Sequence, residues 1–211
     1  MQVNSHLSGE LFLDKDALGA FVGQAKEPFA YLKLLYGRPA LPLFSGMRPY
    51  GQLPYAFALL SGALGAEPFI YIAPPGIDPG SAFTEQLIAK VGSFPTVLIF
   101  SHDAEAFPGL DAVHANTAVI NLHQPFAERM IYHPGFASGQ SLAEITGFQS
   151  PGMVPDKAGI KSDIMAGVRY LALADALEGE AYTLELEEIK RYALQSLGEL
   201  ATLHRWFIKM V

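Results

Sequence analysis

The sequence predicts an α/β fold, with three layers built around an open, mostly parallel sheet and followed by a C-terminal helical hairpin. Three short runs are apolar without alternation, which is typical of strands covered on both faces. They lie at 69–73, 96–100 and 117–122, with helical or loop patterns between them. The chain of 211 residues is 50% hydrophobic, which is enough apolar material for such a core.

The N-terminal elements are predicted to be mainly helical, after a short strand at 9–13. Asp14 is placed as the N-cap of a helix over 15–25, because its carboxylate can accept from the first backbone amides. Pro28 and Gly37 bracket a second predicted helix. A strand is disfavoured there because Lys33 falls on the apolar side of the alternation.

Two more elements are expected before the first buried strand. The apolar run 41–44 is predicted to be a short strand, and the small residues of 55–66 predict a helix. The resulting strand–loop–helix–strand order over 41–73 resembles Rossmann-like nucleotide-binding domains. The resemblance implies an open parallel sheet, but the glycine fingerprint of that class is absent, so no site residue is carried over from it.

A helix is expected over 81–91, between the first two buried strands, which favours a right-handed βαβ unit. Further along, Ser141 and Glu144 have the spacing of a capping box, in which each residue bonds the backbone or side chain of the other. This spacing predicts the start of a short helix.

Two long helices are expected at the C-terminal end, over 156–177 and 184–210, and the Glu-Gly-Glu turn between them makes an αα-hairpin. The predicted organisation is therefore an α/β core over 1–150 and a helical hairpin over 151–211. The hairpin is expected to pack on the core as part of a single domain.

Charge and composition argue against several classes of function. The formal net charge is −7, and the few basic residues are scattered, so a nucleic-acid partner is not expected. The chain has no cysteine, which excludes disulfides and thiolate metal sites. Prolines and glycines interrupt the apolar stretch 49–77, so no membrane span is expected. The first residues have no signal-peptide pattern, and a cytoplasmic location is expected.

The candidate site follows from the predicted sheet, because open α/β sheets bind ligands outside the carboxyl ends of their strands. Imidazole titrates near neutrality, so histidines after two strands suit acid–base chemistry. The catalytic candidates are His102, Asp103 and His123. A glycine-containing loop with an arginine can present backbone amides and a guanidinium to an anion. The ligand-binding candidates are Ser45, Gly46, Arg48, Tyr50 and Gly76.

The catalytic candidates, together with His133, also have the donor atoms of a divalent-metal site. None of them has a local metal-ligand spacing, so no metal is predicted, and the sequence identifies no particular cofactor. The alternative interpretation is structural, with His102 and His123 capping or hydrogen-bonding the ends of strands.

The sequence is consistent with two functions. The first is a domain that binds, or acts on, a small molecule at the carboxyl edge of the sheet, with an anionic or nucleotide-like ligand. The second is a non-catalytic assembly subunit that forms a homo-oligomer or holds a protein partner through its C-terminal helices, where Tyr192, Trp206 and Phe207 are the expected contacts. His204 lies on the same apolar stripe and is expected to be a core or interface residue and not a ligand. The sequence favours the small-molecule role and does not decide between binding and catalysis.

Overall fold

The computed structural model describes residues 9–102, 117–136, 141–149, 159–176 and 179–211. A five-stranded sheet with the order β4-β3-β2-β5-β6 forms its centre. The strands are β2 (Phe29–Gly37), β3 (Leu53–Ser61), β4 (Phe69–Ile72), β5 (Thr96–Ile99) and β6 (Ala118–Asn121). A separate antiparallel pair joins β1 (Phe12–Leu13) to β7 (Ile131–Tyr132).

Helices cover both faces of this sheet. In chain order they are α1 (Lys15–Val22), α2 (Gly80–Val91), α3 (Gln124–Ala127), α4 (Leu142–Gln149), α5 (Asp163–Ala172) and α6 (Glu180–Met210). Short 3₁₀ turns lie at Pro134–Phe136 and Leu173–Asp175. Helix α2 packs on one face of the sheet, while α5 and α6 pack on the other, and α1 and α4 contact α6.

The sheet is mixed, so the prediction of a mostly parallel, Rossmann-like sheet is wrong. Strand β3 runs antiparallel to both of its neighbours, β2 and β4. The pairs β2–β5 and β5–β6 are parallel. The loop from β2 to β3 contains no helix, and a direct connection of this kind joins antiparallel neighbours, whereas parallel neighbours need a crossover.

Two segments predicted as helices are the central strands. The segment 28–36 falls mainly in β2, and 55–66 begins with most of β3. Both are apolar on two faces, since α2 covers one side and α5 and α6 cover the other. The run 41–44, predicted as a strand, lies in the loop between β2 and β3, where Leu41 and Leu43 are exposed.

The predicted βαβ unit also has a different geometry. Helix α2 does connect β4 to β5, but these strands are not neighbours, because β3 and β2 lie between them. The chain therefore crosses two strands before it returns to the sheet. The direct neighbours at the far side are β5 and β6, whose register runs from Thr96 opposite Ala118 to Ile99 opposite Asn121.

Local signals correctly located several elements. The Asp14 side chain accepts a hydrogen bond of 3.0 Å from the amide of Ala17, as an N-cap of α1. At the start of α4, the Ser141 amide donates to Glu144 Oε2 at 2.7 Å and the Glu144 amide donates to Ser141 Oγ at 3.3 Å. The capping box is therefore formed in both directions.

The two faces of the sheet bury separate apolar clusters. On the α2 face, Leu32, Phe57 and Phe83 are members of one cluster. On the other face, residues of β2, β3 and β5 join those of α1, α4, α5 and α6 in a larger cluster. Helix α6 thus belongs to the main core of the molecule, and Phe207 on its apolar stripe is fully buried.

The first helix of the predicted hairpin is shorter than expected, and the second helix is longer. Helix α5 begins at Asp163, where Ser162 caps it by accepting from the amide of Met165 at 3.2 Å. Helix α6 extends over 31 residues. Among the residues that the structure describes, no helix is long and apolar enough to cross a membrane.

Candidate functional site

The parallel part of the sheet brings two histidines to one edge. The chain runs from the end of β5 through Phe100 and Ser101 to His102, and from the end of β6 through Leu122 to His123. The Leu122 amide donates to the Ile99 carbonyl at 2.8 Å, so the pairing extends past the last ladder residues. Because the strands are parallel and in register, both carboxyl ends stop at the same level.

The side chain of Asn121 holds these two chain ends together. Its Nδ2 donates to the Ser101 carbonyl at 2.7 Å, and its Oδ1 accepts from the Ser101 amide at 3.0 Å. The same Oδ1 accepts from the His123 amide at 3.1 Å. One carboxamide therefore replaces the strand pairing where the strands have ended, and it fixes the backbone beneath both histidines.

The imidazoles of His102 and His123 contact one another. Their ring centroids are 4.3 Å apart, and the rings are inclined at 64°. The Phe100 ring lies edge-on to both, with centroid distances of 5.5 Å to His102 and 5.4 Å to His123. His102 is exposed and His123 is half-buried, so the pair is backed by an aromatic ring and open to solvent.

Burial, and secondly the nearby His102 ring, lower the pKa of His123. The neutral form of His123 is therefore favoured near pH 7, and a proton on one ring disfavours a proton on the other. A pair of this kind presents one imidazole as an acceptor while the other can act as a donor. These are the two roles that acid–base chemistry needs.

The predicted ligand-binding residues lie at the same edge but do not join the pair. Ser45, Gly46, Arg48 and Tyr50 are exposed in the loop after β2. No contact within the described ranges links the Arg48 side chain to either histidine. Gly76, after β4, has a φ of +80°, and a Cβ there would lie 3.4 Å from the Ala174 carbonyl oxygen, so this turn packs against the segment after α5.

Two other candidates have separate positions. Asp103 lies outside the described residues. His133 is placed after β7, where its Nε2 lies 3.0 Å from the Gly9 carbonyl oxygen. Across the described ranges, no group of three or more histidine, aspartate or glutamate side chains is arranged to hold a metal ion.

Two features of the structure were not predicted. One lies beneath the histidine pair, and the other lies on the sheet face that α5 and α6 cover. The first is Asn121, for which a polar side chain at the end of an apolar strand is the sequence signal. The second is a polar network above β2, in which Lys33 Nζ lies 2.7 Å from Asp163 Oδ1, and the Tyr192 hydroxyl donates to the same oxygen at 2.8 Å. Lys33 within an apolar run was the sequence signal for a partner on another element.

Comparison with known proteins finds a family similar to part of the chain, but it identifies no activity. Residues 37–141 match a family described as "Domain of unknown function (DUF2779)". The matched stretch, just under half of the chain, begins at the last residue of β2 and contains both histidines of the pair. No curated protein and no solved structure is significantly similar to the chain. Over residues 37–141, this mixed α/β chain is thus similar to an uncharacterised domain family.

Proposed function

We propose that the chain binds a small anionic molecule at the carboxyl edge of β5 and β6, with His102 and His123 as its direct contacts. The observation that carries this proposal is the 4.3 Å distance between the two imidazole centroids at a solvent-open strand edge. Loops outside strand ends are common ligand sites because the sheet holds them rigidly. An imidazolium N–H is a charge-assisted donor to a carboxylate or phosphate oxygen.

The rigid support of the pair favours binding over a purely structural role. Asn121 makes three hydrogen bonds to the backbone beneath the rings, so the strand ends are held without help from the imidazoles. In a histidine that only capped a strand end, the ring nitrogens would form hydrogen bonds with nearby backbone groups. The contacts described for these two rings are instead with each other and with Phe100.

The same pair supports an acid–base step on the bound molecule. His123, with its lowered pKa, is the base, and His102, the more exposed ring, is the donor. A proton on His102 opposes a second proton on His123, which favours the neutral, proton-accepting form of His123. The acid–base step requires that the molecule first binds at the histidine pair.

The test uses imidazole NMR with inorganic phosphate as the probe. Two-dimensional spectra of the histidine ring nitrogens are recorded during a phosphate titration at pH 6.0 and 7.5. We expect the His102 and His123 signals to move together with one saturation curve, and the affinity to be higher at pH 6.0, where the pair carries more positive charge. Absence of saturable movement at both rings at both pH values contradicts the proposal.

Matched variants separate the pair from histidines elsewhere. His102→Gln and His123→Gln are each expected to abolish saturation, since a single ring cannot form the paired site. His133→Gln is the control, because His133 contacts Gly9 and Phe136, and it should bind phosphate as the unaltered chain does. Equal movement of the His133 signal would mean non-specific association of the anion and would count against the site.

A further inference from the structure

A cavity lies at the β4 edge of the sheet, between this strand and the N-terminal half of α6. Its volume is about 310 Å³. This is at the small end of the range for ligand pockets, roughly 300–1,000 Å³. It is separate from the histidine pair, because β4 and the pair-bearing strands β5 and β6 lie at opposite sides of the sheet.

Each of the two walls of this cavity is one face of one element. Ile70 and Ile72 are two residues apart on β4, so both side chains project from the same face of the strand. Tyr182, Leu186 and Lys190 are spaced by four residues on α6, so they line up on one face of the helix. All five are half-buried, which leaves their cavity sides open.

The end of the cavity is fixed by a tyrosine from α5. Ala73 and Pro74 line this end, and the Tyr170 hydroxyl lies 3.1 Å from the Ala73 carbonyl and 3.3 Å from the Pro74 carbonyl. The Tyr170 ring in turn stacks on Tyr55 with a centroid distance of 3.9 Å. A ligand would therefore meet a largely preformed surface, which reduces the ordering cost of binding.

Lys190 gives the cavity a positive charge at one end of its helical wall. Its ammonium group pairs with Glu187, an exposed residue three positions earlier on the same helix. The side chains of this pair are 40% and 59% exposed. Exposed pairs of this type contribute little, so the Lys190 ammonium can turn toward an anion at small cost.

We propose that this cavity binds a free amphipathic carboxylate, with an aliphatic or aromatic body between β4 and α6 and its carboxylate on Lys190. The apolar side chains of the walls favour a ligand with an apolar body, and the Lys190 ammonium favours a ligand with a negative charge. The proposal is independent of the histidine pair and does not require that site to bind anything.

The test is a titration of the full chain with octanoate, followed in methyl NMR spectra. We expect saturable movement of the Ile70, Ile72 and Leu186 methyl signals. Octanoate should bind more tightly than hexanoate, by about fourfold per methylene group, because each methylene is buried from water. Acetate, which lacks the body, should not move these signals, and 1-octanol should bind more weakly than octanoate.

Variants test each wall and the charge. Leu186→Trp should fill the cavity and abolish octanoate binding, whereas Leu184→Trp, at a position 60% exposed on α6, should leave it unchanged. Lys190→Gln should weaken octanoate about threefold to fivefold and leave 1-octanol unchanged, as expected for loss of one exposed ion pair. Lys190→Arg should restore octanoate binding.

Two outcomes overturn the proposal. One is octanoate binding that persists unchanged in a folded Leu186→Trp variant, which would place the ligand elsewhere. The other is the absence of methyl movement in the unaltered chain. His102→Gln combined with His123→Gln should bind octanoate normally, so failure at the histidine pair and failure at this cavity are distinguishable.

Discussion

The Tyr31 hydroxyl lies 3.0 Å from Nδ1 of His204, joining the central strand β2 to helix α6 inside the main core. Both residues are buried, and the Phe29 ring lies edge-on to the imidazole at a centroid distance of 5.3 Å. The interpretation of His204 as a core residue is therefore confirmed. Its nitrogen has a hydrogen-bond partner, which is what a buried polar group requires.

His204 makes stability dependent on pH. Burial lowers its pKa from 6.5 to about 4, so the folded state keeps the ring neutral where the unfolded chain takes up a proton. Stability is fully present above pH 6.5 and is lost as the pH falls from 6.5 toward 4. We expect a loss on the order of 2 kcal/mol between pH 7 and 4.5 from this residue.

Urea unfolding at pH 7.0, 6.0, 5.0 and 4.5 measures that loss, with His204→Gln as the comparison. The amide of the variant can still bond Tyr31, and it does not titrate. As the pH falls, the unfolding free energy of the unaltered chain should therefore decrease more than that of the variant. A difference that stays constant with pH would show that His204 titrates alike in both states.

Asn121→Ala is expected to destabilise the protein and to loosen the histidine pair. The change removes three hydrogen bonds and leaves the Ser101 and His123 backbone groups without them. We expect a loss of about 1–3 kcal/mol in unfolding free energy. Gln124→Ala is the control, because its side chain makes an exposed bond to Glu128 and should change stability little. Equal stability of both variants would contradict the role of Asn121.

Two glycine-to-alanine substitutions in helices should have opposite signs. At Gly167 in α5, a Cβ would lie 2.6 Å from the Tyr36 carbonyl oxygen, which is backbone and cannot rotate away. Gly167→Ala must therefore push α5 off β2, and it should destabilise the fold by about 1–3 kcal/mol. Gly198 in α6 has nothing within 4 Å of its Cβ position.

Gly198→Ala should accordingly stabilise the protein by about 0.5–1 kcal/mol, because alanine is the better helix former. Thermal unfolding of the two single variants gives both values. A rise in melting temperature for Gly167→Ala would mean that the close approach of α5 to the end of β2 does not exist.

Removal of a hydroxyl from two stacked tyrosines should also have different effects. Tyr55 is the extra residue of a β-bulge, since Leu35 pairs with Ala56 and Tyr36 pairs with Pro54. Its buried hydroxyl has no hydrogen-bond partner among the described residues. Tyr55→Phe should therefore be neutral or stabilising by up to about 1 kcal/mol.

Tyr170→Phe removes the hydroxyl that bonds the Ala73 and Pro74 carbonyls, and it should cost about 1 kcal/mol while the ring stack is kept. Urea unfolding of both variants, at one pH, compares them directly. Destabilisation by Tyr55→Phe equal to that by Tyr170→Phe would indicate that the Tyr55 hydroxyl also holds a bond in solution.

Lys33 illustrates why the central strands were not predicted. A charged residue on the apolar side of an alternating pattern argued against a strand at 28–36. In the structure Lys33 lies in the middle of β2, with its side chain 16% exposed, and it pairs with Asp163 on α5. The partner is 130 residues away in the chain, and no local pattern contains that information.

The sequence by itself determined the elements whose signals are local. Asp14 and the Ser141–Glu144 box marked helix starts, because a cap bonds amides within three residues. The continuous apolar runs marked β4, β5 and β6, because strands covered on both faces lose their alternation. The positions of His102 and His123 just after β5 and β6 also predicted that they would lie at one edge if these strands were neighbours.

Only the tertiary structure decided the rest. Apart from Lys33, the segments of β2 and β3 are largely apolar on both faces and suit either a buried helix or a buried strand, so their neighbours in the sheet set their conformation. The direction of β3 depended on the loop from β2, in which the sequence pattern had assigned 41–44 to a strand. The contact between His102 and His123 required Asn121 to join two strand ends 20 residues apart, and such pairing is fixed by register and not by sequence spacing.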